Sequence, residues 1–258
     1  MNIVKLYGGL GNQMFQYAFG KNLEVNRGMD VMYDTSWFGY HTDPPRPYGL
    51  NKFNTHVSIM PFIAGNRTIH EGKDEYYNYE DTFTRRPNTN LAGYWQHIDY
   101  MREVLPILRE EFRIDPEYQT IGYIELKERI LGSSSVGIHV RRGDYVTVAG
   151  HHVLGMDYYR EALKYVKGKV YVFSDDIKWC EEHFPGAQFI NMMDYLSFSL
   201  LCFCKCRIIA NSTFSWWAAI LNENEEDVVV APKIWRANVE EQRRMEEGKF
   251  CPNNWIQI

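Results

Sequence analysis

Arg141, Arg142 and Asp144 stand together just after a short apolar run, residues 136–140, with Gly143 before the acid to turn the chain. Guanidinium groups are planar forks that give a phosphate two charge-assisted hydrogen bonds at once. A buried strand that delivers such groups at its carboxyl end is how an open α/β sheet presents an anion site. An exposed basic turn in which Asp144 merely pairs with an arginine would look the same from these residues alone. Two further stretches repeat the pattern: Ser174, Asp175 and Asp176 close the apolar run 169–173, and Asn211, Ser212 and Thr213 close 207–210. Ser212 and Thr213 precede a helix containing Ser215, Trp216 and Trp217, where they can cap it or offer hydroxyls and free N–H groups to a phosphate. Asp175 opens another helix, an ordinary place for an acid. In a parallel sheet all strand carboxyl ends share one edge, so the three loops can converge on one crevice.

The elements that would hold these loops alternate. After a candidate boundary at 132–135, strands at 136–140, 169–173, 188–190, 207–210 and 228–231 are separated by helices near 157–166, 177–183, 195–204 and 214–221. Apolar strands in strand–helix alternation imply a parallel sheet covered on both faces. The first half begins with a strand at 3–7, a helix at 13–26 stopped by Gly28, and a strand at 31–34. A strand at 91–95 leads to a helix near 98–112, and Asp115-Pro116 reads as the start of a helix running to Leu131. The stretch 37–88 has no clean period. The expected organisation is α/β, with domains 1–132 and 133–258.

Gly9-x-Gly11 lies between the first strand and the first helix, but as a dinucleotide fingerprint it is incomplete, because Met14 occupies the third small position. Asp34 falls where a ribose-binding acid would stand, which keeps an NAD- or FAD-dependent oxidoreductase as an alternative. Asn12 and Gln13 put two amides at the helix start, which a bare pyrophosphate cradle does not need. A net charge of −5 argues against a nucleic-acid partner. Five cysteines match no zinc spacing and read as reduced thiols. No signal peptide and no apolar run near the ~18 residues of a membrane span are evident, so a cytoplasmic protein with at most peripheral membrane association is expected.

Residues 8–20 (GGLGNQMFQYAFG), 139–146 (HVRRGDYV), 173–177 (FSDDI) and 209–219 (IANSTFSWWAA) together resemble the bacterial alpha-1,2-fucosyltransferases, and 93–96 (GYWQ) resembles a further segment of that family. The His-x-Arg-Arg element is similar to one shared more widely by alpha-1,6- and protein O-fucosyltransferases. The resemblance implies two facing Rossmann-like domains of the GT-B type, with the active site in the cleft and GDP-fucose in the C-terminal domain. It implies transfer to the 2-hydroxyl of a terminal β-galactoside with inversion, no cofactor and no metal.

By the same resemblance Arg141 is the main donor to the departing diphosphate, supported by Ser212, Thr213 and Asn12, and His139 contacts base or ribose. Asp144 orients an arginine or serves as base, the former being favoured. Gln13, Ser174, Asp175, Asn211, Ser215 and Trp95 complete the expected substrate-binding set, with Tyr94, Trp95 and Trp37 as sugar-stacking aromatics. The base stays open among His152, Asp157 and Asp144. The chain departs from the family pattern at Ser197, where relatives carry an acid, with Asp194 three residues earlier, and at Cys204-Lys205-Cys206 in place of Cys-Lys-His. A non-catalytic glycan-binding module would explain the aromatics but not the convergent arginine and hydroxyl loops.

Overall fold

The computed structural model describes residues 1–39, 46–71, 88–148, 151–221, 227–247 and 250–258. These form two compact units, Met1–Asp115 and Pro116–Ile258. Part of the patternless stretch, 40–45 and 72–87, lies outside the described residues.

In the first unit β1 (Asn2–Lys5), β2 (Val31–Asp34), β3 (Arg67–His70) and β4 (Thr89–Ala92) pair in the order β2-β1-β4-β3, all parallel. Helix α1 (Leu10–Arg27) is buried from Leu10 through Leu23 but for Asn12, so its polar side chains need partners. Tyr17 donates to Glu111 at 2.8 Å, and Lys21 pairs with the same carboxylate at 3.2 Å. Gly28, at φ 62°, ends the helix as the sequence suggests, with Met29 N–H reaching the Leu23 carbonyl.

The single helix expected over 98–112 is instead two 3₁₀ turns, Ile98–Tyr100 and Arg102–Val104, followed by α2 (Leu105–Glu111). Pro106 sits in the first turn of α2, and a helix running through it would lose an N–H bond and meet the ring sterically. The strand expected at 91–95 ends at Ala92, because Trp95 takes a left-handed φ of 54° and turns the chain.

The second unit opens with α3 (Ile121–Leu131), capped by Thr120, whose Oγ1 accepts from Tyr123 N–H at 3.2 Å. Asp115 does not cap it; residues Pro116–Tyr118 form a 3₁₀ turn. The hydroxyls of Tyr123 and Ser199 share a 2.8 Å hydrogen bond that ties α3 to the second unit, so the division falls after Asp115 rather than after Gly132. Next come β5 (Ser135–Val140), α4 (Gly143–Thr147), α5 (Met156–Ala162), β6 (Lys169–Ser174), α6 (Ile177–His183) and β7 (Gln188–Ile190). Then follow α7 (Asp194–Cys202), β8 (Cys206–Ile208), α8 (Thr213–Ile220), β9 (Val228–Ala231), α9 (Val239–Glu247) and β10 (Ile256–Gln257).

The sheet order is β10-β9-β8-β5-β6-β7, all parallel. The chain starts in the middle at β5, winds outward to β7, then returns to β8 on the other side of β5 and winds outward again. This is the doubly wound order, and its crevice opens beyond the carboxyl ends of β5 and β8. Val136, Ile138, Val140, Val172, Ile208 and Val230 form the sheet's share of the core. No helix among the described residues is long and apolar enough to cross a membrane.

Candidate active site

Arg141 leaves β5 at that switch point, and its fork is held by two carboxylates. Nη2 pairs with Asp144 Oδ1 on α4, and Nη1 pairs with Asp175 Oδ2 after β6 at 2.6 Å. Asp175 is shared: its other oxygen accepts the Arg142 backbone N–H at 2.9 Å. Arg142 turns the opposite way, with Nε on Asp176 at 3.0 Å and its guanidinium 4.2 Å above the Trp179 ring centre. Asp176 also caps α6 through Trp179 N–H. At Gly143 the backbone approaches this cluster closely, because a Cβ there would stand 2.5 Å from Asp175 Oδ2. Both arginine side chains remain about one-fifth exposed, so Arg141 is fixed yet reachable.

On the β8 side the chain turns at Asn211 and Ser212 into α8. Ser212 occupies the cap position without a side-chain capping bond. Ser215 is fully buried, and its Oγ lies 2.9 Å from His139 Nδ1 and 3.2 Å from the Ala210 carbonyl. When the Ser215 hydroxyl donates to the Ala210 carbonyl its lone pair takes the imidazole N–H, and that tautomer of His139 leaves Nε2 as an acceptor. Burial, reinforced by the Arg141 charge, lowers the His139 pKa to about 3, and Phe214 stacks on the ring at 5.1 Å. Asn211 donates to the carbonyls of His152 (2.8 Å) and Trp235 (3.2 Å), and its own carbonyl accepts from the Tyr145 hydroxyl at 3.0 Å.

The first unit has its own switch point, between β1 and β4. Gly8 takes φ 78°, and a Cβ there would press on the Asn12 amide at 2.8 Å. Asn12 Oδ1 accepts from Gln96 Nε2 at 3.0 Å. Tyr7, Trp37 and Tyr94 cluster, with the Tyr7 ring 4.9 Å from Tyr94 and 6.3 Å from Trp37. Glu71, after β3, accepts the backbone N–H groups of Tyr94 and Trp95.

The sequence model of glycosyl transferase family 11 matches residues 68–258. The chain belongs to this family. It is 29% identical to the alpha-1,2-colitosyltransferase of Escherichia coli, covering 99% of this chain and 98% of that one. It is 30% identical to the O-antigen biosynthesis glycosyltransferase WbnK of the same species, over 98% and 99%. The crystal structure of fucosyltransferase NodZ from Bradyrhizobium shares the fold at TM-score 0.56 and 14% identity, covering 86% of this chain and 92% of that one. The family resemblance read from the motifs is thus borne out, and nothing in these matches favours a dinucleotide oxidoreductase.

Within this family 11 chain, β5, β6 and β8 bring together the residues expected at their ends. Arg141, Asp144 and Asp175 are in direct contact, as are His139 and Ser215. Asp175 acts on Arg141 rather than presenting a free carboxylate, and Ser174 Oγ is engaged by the Asp176 N–H at 2.9 Å. Gln13 is fully buried and spends its amide on the Gly8 and Pro47 carbonyls and the Gly49 N–H. Trp95 is 1% exposed and lies flat on Phe19 at 4.0 Å, so its ring faces the core and cannot stack on a sugar. Asp34 is likewise buried, accepting the Ser36 N–H at 2.9 Å, which closes it to a ribose. Among the three bases considered, Asp157 is fully exposed and pairs with Arg160, while Asp144 is committed to Arg141. Ser197 bonds to the Met192 carbonyl, and Asp194 accepts the Tyr195 N–H. Sequence reasoning missed Tyr145, Tyr7 and Glu71; only the aromatic share of the chain hinted at the first two.

Proposed function

We propose that the protein transfers L-fucose from GDP-fucose to the 2-hydroxyl of a terminal β-galactoside, with inversion, in the synthesis of a glycan or surface polysaccharide. The observation that carries this reading is the Arg141 fork held by Asp144 and Asp175 at the switch point of a family 11 sheet. Departure of GDP builds negative charge on the β-phosphate oxygen, and a preorganised donor aimed there is the largest single source of stabilisation. Arg141 is that donor; Ser212 and Thr213, at the amino end of α8, add hydroxyl and N–H donors. Asp144 and Asp175 fix the fork and so act as positioning residues. The His139 Nε2 acceptor suits a ribose hydroxyl or a base N–H, while Asn211 shapes the loop rather than touching the nucleotide. Asp175 and Asp176 serve the two arginines, which leaves the leaving group to protein donors and requires no metal. The acceptor binds to the first unit, near Asn12 and the Tyr7–Tyr94 aromatics.

The test is incubation of the purified, chelator-treated protein with GDP-fucose and a panel of β-galactosides, with the product linkage read by NMR. An alpha-1,2-fucosylated galactoside is expected. Turnover with NAD and no GDP-fucose consumption would overturn the reading.

A further inference from the structure

Glu71 follows β3 directly, and its N–H extends the pairing with β4 by reaching the Ala92 carbonyl at 2.8 Å. Its side chain crosses to the loop after β4. There the N–H of Tyr94 meets Oε2 at 2.5 Å, and that of Trp95 meets both oxygens at 2.9 and 3.0 Å. The left-handed Trp95 turns its N–H group the same way as Tyr94's, the backbone arrangement that cradles an anion. Gly93 is required for this approach, since a Cβ there would lie 2.3 Å from Glu71 Cβ. The Tyr94 side chain is 43% exposed with its ring 4.9 Å from that of Tyr7, and Gln96 of the same loop holds Asn12. A carboxylate, an exposed aromatic face and an amide pair thus share the crevice end of the first sheet.

We infer that Glu71 takes the proton from the acceptor hydroxyl, with the Tyr94 ring as the platform for the pyranose that carries it; this rests on the reaction proposed above. A carboxylate offers about four lone-pair positions, so the two backbone donors leave room for a hydroxyl. Burial raises the Glu71 pKa to about 7 despite those donors. A base with that pKa is substantially ionised at neutral pH and still basic enough to hold a proton. Among the described residues, the ionisable side chain that interacts with it is Tyr7, from the loop after β1, whose ring lies 4.9 Å from that of Tyr94. Burial keeps the Tyr7 phenol neutral. His70, which precedes Glu71 on β3, is exposed. In the step, the acceptor oxygen bonds to fucose C1 as the C1–O bond to the β-phosphate breaks. The electron pair leaves on GDP, and the hydroxyl proton passes to Glu71 and then to water.

The experiment is the pH dependence of transfer in the full chain, beside Glu71→Gln and a calorimetric GDP titration. Activity needs ionised Glu71, so wild-type kcat/KM should hold above about pH 7 and fall tenfold per unit below it. Glu71→Gln should lower kcat about 10²- to 10⁴-fold, abolish that acid limb and leave GDP affinity unchanged. A wild-type profile flat down to about pH 5.5 overturns the assignment whether or not the variant folds. So does a variant that raises only the acceptor KM, which would make Glu71 a clasp for its loop. A wild-type protein that binds GDP yet transfers nothing sinks the proposed reaction, and this role with it. Normal transfer by both proteins sinks this role alone.

Discussion

Replacing Arg141 by lysine separates charge from geometry. Lysine keeps the positive charge but offers one compact ammonium, whereas Arg141 bridges Asp144 through Nη2 and Asp175 through Nη1 with a rigid fork. An ammonium can follow one of those carboxylates and will not hold the remaining donors toward a diphosphate. Loss of one aligned donor to a developing oxyanion costs about 2.7–4 kcal/mol, so kcat should fall on the order of 10²- to 10³-fold. Stability should change little. Both carboxylates are about one-quarter exposed and can be resolvated, which keeps the folding cost near or below ~1 kcal/mol. Initial-rate measurement of GDP release, paired with urea unfolding, reads both quantities. A folded Arg141→Lys enzyme within about threefold of wild type would refute the geometric argument, since charge alone would then suffice.

Other perturbations probe the supports of the fork and of the sheet. Gly143→Ala must push Asp175 off Arg141, because its Cβ would start 2.5 Å from Oδ2; kcat should drop roughly tenfold, while Gly155→Ala, with open space around it, should be silent in the same assay. Asp227→Ala leaves Arg207, 1% exposed, with its charge uncompensated, and should cost about 3–5 kcal/mol in chemical denaturation without touching the switch-point residues. His139 titrates near 3 when folded and near its ordinary 6.5 when unfolded, so the unfolded chain binds more protons between those values. Its contribution to stability is therefore full above about pH 6.5 and is lost progressively toward pH 3, and a His139→Gln variant should show a shallower decline.

The second unit was the more legible in sequence for a physical reason. Parallel strands covered on both faces are short apolar runs, and their carboxyl ends announce themselves where polarity begins: Arg141 after β5, Ser174 closing β6, Asn211 shortly after β8. Sheet topology puts those ends on one edge, so convergence of Arg141 with Asp175 followed from chain order alone. What failed was local. Asp115-Pro116 is as good a helix start as any in the chain, yet Thr120 caps α3, and the bond between Tyr123 and Ser199 carries that helix into the second unit. Trp95 looked like a sugar platform by residue type, but one left-handed residue turned it onto Phe19 and left Tyr94 outside. Glu71 had no signal at all. Its character comes from burial and from N–H groups 23 and 24 residues away, neither of which leaves a mark on the residues beside it.

The most direct test of the central claim is a calorimetric titration of the purified, metal-free protein with GDP, repeated with Arg141→Ala and with NAD. Saturable GDP binding that is abolished in the folded variant, with no heat from NAD, is the expected result. NAD binding without GDP binding would contradict the account and return attention to Gly9, Gly11 and the first helix.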